Sequence, residues 1–60
     1  MLIDHMTIGG HNIKLIKDTH AGKYEVLVGM ELWNDANTFE TAYKQFLGAI
    51  KAAYNDGLPR

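Results

Sequence analysis

The stretch Thr38 to Asn55, TFETAYKQFLGAIKAAYN, restricts the fold more than any other part of this chain. Phe39, Tyr43, Phe46, Leu47, Ile50 and Tyr54 recur at spacings of three and four, which places them on one stripe of a 3.6-residue helix and predicts that this stripe closes a core. Both ends carry boundary signals. Asn37 with Glu40 three residues on fits a capping box, as does Thr38 less well with Thr41. At the far end Gly57 suits a left-handed cap, Leu58 the apolar contact that accompanies it, and Pro59 a stop. A helix over 38–55 spans about 27 Å at 1.5 Å per residue, enough to cross a small sheet.

The segment ahead of it reads as strands. Leu2 to Ile8 is apolar and β-branched and stops at the turn-formers Gly9-Gly10-His11-Asn12. The pattern resumes at Ile13 and breaks again at Thr19-His20-Ala21-Gly22. From Lys23 the run KYEVLVGMELW alternates, with Tyr24, Val26, Val28, Met30 and Leu32 on one face. Strands over 2–8, 13–18 and 23–33 follow, and registers can be read from the alternation, because a slip of one residue sends every side chain to the wrong face. Loops over 9–12 and 19–22 put Ile8 opposite Ile13, Met6 opposite Leu15, Leu15 opposite Val26, Ile13 opposite Val28 and Asp18 opposite Lys23. The expected fold is α+β: a three-stranded antiparallel meander packed on one C-terminal α-helix, a single small domain over residues 1–60.

Two surfaces depart from what water requires. The second sheet face collects Ile3, Ile16, Leu27 and Trp33 among His5, Thr7, Lys14 and Glu25, and a contiguous apolar patch on a small protein often marks a contact surface. On the helix flank Gly48 costs about 1 kcal/mol relative to alanine. Ala52 lies one turn on, so another backbone can approach closely, and Lys44 and Lys51 stand beside them. These eight residues, Ile3, Ile16, Leu27, Trp33, Lys44, Gly48, Lys51 and Ala52, are the expected interaction residues.

Composition limits the function. Sixty residues without a cysteine sit near the size at which a chain needs a partner or another staple, and disulfides are excluded. Six basic residues against seven acidic leave a net charge of -1, without the basic excess that phosphate-backbone binding favours. No run approaches the roughly 20 apolar residues of a membrane span. MLIDHMTIGG has no basic region ahead of an apolar run and reads as a strand rather than a secretory signal. The expected setting is cytoplasmic. His11 and His20 fall in loops at opposite ends of the middle strand and cannot converge with His5 on a metal. No threonine is paired with an activating base, and so thin a domain is expected to lack room for a ligand pocket of about 300 Å³. No catalytic residue, cofactor or metal is expected.

The order β-β-β-α, with Lys14, Thr7 and Trp33 on the outer face, resembles the arm-type DNA-binding domains of phage integrases, which present a sheet to DNA. That resemblance implies nucleic acid as one alternative partner. Small free-standing domains of this composition also resemble accessory proteins of phages and other mobile elements, which inhibit or redirect a host protein. The leading expectation is a non-enzymatic protein-binding module acting as a homodimer.

Overall fold

The computed structural model describes residues 1–55. It contains β1 (Leu2–Ile8), β2 (His11–Asp18), β3 (Lys23–Val28), β4 (Glu31–Ala36) and α1 (Phe39–Tyr54). The fold is α+β, an antiparallel sheet in the order β1-β2-β3-β4 with one helix laid across it. It has four strands, not three. The run expected to form one long strand folds back at Gly29-Met30, so that Val28 pairs with Glu31. Gly29 has φ +65, as the tight two-residue turns of hairpins demand at their first central position. Alternation of apolar residues continues through Met30 and Leu32, which hides this turn from a reading by periodicity.

The β2–β3 register is as expected, with Leu15 opposite Val26, Ile13 opposite Val28 and Asp18 opposite Lys23. The β1–β2 register is not. Gly9 (φ +59) and Gly10 (φ +80) alone form the turn, so Ile8 pairs with His11, Met6 with Ile13 and Asp4 with Leu15. Two consecutive left-handed glycines make a two-residue loop, where a four-residue one was expected. A register shift between Leu2 and Asp4 leaves Ile3 as the extra residue of a bulge.

Ile13, Leu15 and Val26 on the sheet and Ala42, Phe46, Ala49 and Ala53 on the helix form the buried core. The helix therefore turns a different face inward from the one its large residues mark. At 100° per residue the buried set is rotated by roughly 80° from the stripe of Phe39, Tyr43, Phe46, Leu47, Ile50 and Tyr54. Phe46 is buried and Ile50 packs against the core, while Phe39, Tyr43, Leu47 and Tyr54 stay exposed. Three alanines on the inward face let the helix lie close to the sheet. Thr38 is the N-cap, accepting from the Thr41 N–H at 3.3 Å, so the weaker of the two capping patterns is the one used. The expected C-terminal cap at Gly57, Leu58 and Pro59 lies outside the described residues.

Asp18 closes the β2–β3 loop. Its Oδ1 accepts from the backbone N–H groups of Ala21 at 3.2 Å and His20 at 2.9 Å, an Asx-type turn. These two bonds, Ala21's first, hold the carboxyl below its ordinary range. A carboxylate whose folded pKa is depressed adds stability above its unfolded pKa and loses it as pH falls through the folded one. The Asp18→Asn variant is therefore expected to be less stable at neutral pH and to lose less stability than the parent below about pH 4. Thermal melts across that range check this, and parallel losses for both proteins count against it.

Candidate functional site

With the helix rotated, the apolar surface lies beside α1. The Gln45 side chain donates to the Asp35 carbonyl at 3.3 Å, which fixes one flank of the helix over β4. The opposite flank, carrying Tyr43, Leu47 and Tyr54, is turned towards β1. Leu47 is 48% exposed and Tyr54 76%. Below them Met6 pairs with buried Ile13 and so shares the helix-bearing face of the sheet, yet it is 43% exposed. Helix flank and strand edge thus both carry exposed apolar side chains on the helix-bearing side of the sheet, an apolar ledge. Its upper end is stiffened by stacked rings: Phe39 and Tyr43 have centroids 5.6 Å apart, and Phe39 meets Tyr24 edge-on at 5.8 Å. Lys17 Nζ sits over the Tyr24 ring, 5.1 Å from its centroid.

The edge strands beside these surfaces are both irregular. On β1 the bulge at Ile3 breaks the ladder, and Asp4 Oδ1 takes the His5 N–H at 2.8 Å. On β4 the register shifts opposite Val26 and Leu27, making Trp33 an extra residue. Bulges and capped N–H groups are devices that blunt strand addition. A partner would meet side chains here more than a free ladder.

The same bulge places Trp33 in a cleft of about 730 Å³ between the two glycine turns, lined also by His11, Val28, Glu31 and Leu32. A pocket above 300 Å³ was not expected of so thin a domain. The fourth strand accounts for it, because one helix that veers onto the β1–β2 turn cannot also cover the β3–β4 corner. Gly9 shows how close that approach is, since a Cβ there would lie 3.2 Å from the Ala53 carbonyl oxygen. His11 pairs with Ile8 at the end of β2 and is 8% exposed, and its Nε2 has no hydrogen-bond partner among the described residues.

The eight residues singled out from the sequence are not brought together. Ile3, displaced by its bulge, packs against the core, and Trp33 lines the cleft. Ile16 and Leu27 remain on the outer face, where the pairing continues their rows to Leu2 and Leu32. One row runs Leu2, Ile16, Glu25, Asp35 and the other His5, Lys14, Leu27, Leu32, so each apolar pair is continued by polar residues, acidic in the first row and a histidine and a lysine in the second. On the helix, Lys44, Gly48 and Lys51 are exposed, and Lys44 Nζ lies 3.8 Å from Glu40 Oε1. Nothing in the protomer lies within 4 Å of a Cβ built on Gly48, so its missing side chain serves no internal packing. Ala52 is partly buried against the core.

The ledge was missed because its residues were assigned to the core: Tyr43, Leu47 and Tyr54 sit at core spacing but on the wrong side of the alanines. Among the described residues no helix is long and apolar enough to cross a membrane. No family model matches the chain, and no curated protein or solved structure matches it either.

Proposed function

We propose that this chain is a non-enzymatic protein-binding module that acts as a homodimer, using the ledge of Tyr43, Leu47, Tyr54 and Met6. One observation carries the reading: four of the six large residues of the helical stripe, Phe39, Tyr43, Leu47 and Tyr54, are held partly in water along a single flank instead of being buried. Full burial of a large apolar side chain gives about 1.5–3 kcal/mol, and these, 38% to 76% exposed, forgo part of it that a partner surface recovers. A domain of this size has little stability to spare, which favours a partner that adds core to both sides. Inhibition or redirection of a host protein by such a dimer is the biological role we attach to it, by the likeness to mobile-element accessory proteins.

The test is sedimentation. At tens of micromolar the parent is expected to weigh more than its 6.7 kDa protomer. The double variant Tyr43→Ser, Leu47→Ser should return it to protomer mass with its circular dichroism unchanged. A parent that stays at protomer mass throughout overturns the homodimer.

A further inference from the structure

We propose that the cleft at the β3–β4 corner binds a small organic cation, a primary ammonium carried on an apolar body. This does not depend on the dimer, since the cleft lies at the opposite end of a cross-strand row from the ledge. That row runs Met6, Ile13, Val28, Glu31: the helix covers its middle, Met6 opens to the ledge, and Val28 and Glu31 open to the cleft.

Two groups in the lining ask for the same chemistry. Among the described residues Glu31 is the only formally charged one in it, has no ion-pair partner, and has no lysine or arginine on the wall beside it. An anion is thereby disfavoured and a cation favoured. Trp33 offers an indole, the aromatic ring with the strongest attraction for a cation over its face. Val28 and Leu32 give the walls an apolar part, which suits an alkyl or aryl body on the same ligand. The glycine turns keep the mouth open, since a Cβ on Gly10 or Gly29 would meet nothing within 4 Å.

Trp33 is the only tryptophan, so its fluorescence reports on the site directly. The probes are n-butylammonium chloride, n-butanol and sodium butyrate, all at one ionic strength. A ligand of about five heavy atoms has a ceiling of about 7.5 kcal/mol, and half that efficiency in an open cleft gives a Kd of roughly 2 mM, so titration to roughly 100 mM is required. Butylammonium is expected to give a saturable change in Trp33 emission, with amide shifts confined to the two glycine turns and β4. Butyrate should give none. Glu31→Gln should weaken butylammonium roughly fivefold, the factor that about 1 kcal/mol produces. Glu31 stands on the exposed wall, so its Gln variant is expected to fold and decides the matter alone. No saturation, an equal response to butanol, or unchanged affinity in Glu31→Gln each overturn the proposal. A chain that is a protomer in sedimentation yet binds butylammonium refutes the dimer and leaves this cleft standing.

Discussion

Replacing Phe46 with alanine is expected to leave the chain largely unfolded at 25 °C. Phe46 is 2% exposed and is the largest fully enclosed side chain on the helix, packed among Ile13, Leu15 and Val26. The alanines around it in the helix contribute closeness rather than volume, so no other helical residue replaces its bulk. Truncating a buried phenylalanine costs about 3–5 kcal/mol through lost transfer energy and the cavity left behind. A domain of this length has roughly 3–9 kcal/mol in all, at 0.05–0.15 per residue. The loss is therefore comparable to the whole. Phe46→Leu keeps the apolar contact with a smaller void and is expected to cost about 1–1.5 kcal/mol. Urea unfolding followed by circular dichroism separates the cases: a shifted but cooperative transition for leucine, and none or a nearly vanished one for alanine. An alanine variant within 1 kcal/mol of the parent contradicts this assignment of the core.

Which parts of the molecule could be read in advance follows from which signals are local. The helix was legible because sixteen residues repeat one period and Thr38 supplies a cap. The β2–β3 hairpin was legible because Asp18, Ile13 and Leu15 find complementary partners in one register only. The β1–β2 register was two residues out, since Gly9-Gly10 can end a strand or make the entire turn, and His11 pairs as readily as it loops. Gly29-Met30 was passed over because Met30 and Leu32 carry the apolar alternation on in sequence, although the two-residue turn moves Leu32 to the face opposite Val28. The functional surfaces depended on these misreadings. Without a fourth strand there is no corner for a cleft, and without the bulges Ile3 and Trp33 belong to the outer face. The rotation of the helix was the hardest to foresee. Periodicity weighs large residues most, whereas a helix that must approach a sheet closely is placed by its small ones.

That rotation makes a pair of opposite expectations at neighbouring positions. Ala49 is fully buried between helix and sheet, so Ala49→Leu forces three extra carbons into a filled space and lifts the helix, at a cost of about 1–3 kcal/mol or more. For a domain this small that lowers the melting temperature by roughly 4–8 °C per kcal/mol. Leu47 stands half in water on the ledge, so Leu47→Ala loses only part of its transfer energy, regains a little helix propensity, and should cost under about 1 kcal/mol. Had the stripe of large residues faced the sheet, the order would reverse: Leu47→Ala would cost about 2–5 kcal/mol, and Ala49→Leu would project harmlessly from the side. Melts must be run in dilute solution, where association adds nothing to stability. The same Leu47→Ala protein, concentrated, should then associate less than the parent. A variant that is nearly neutral for folding but costly for self-association puts Leu47 on a contact surface, whereas one that is costly for both puts it in the core.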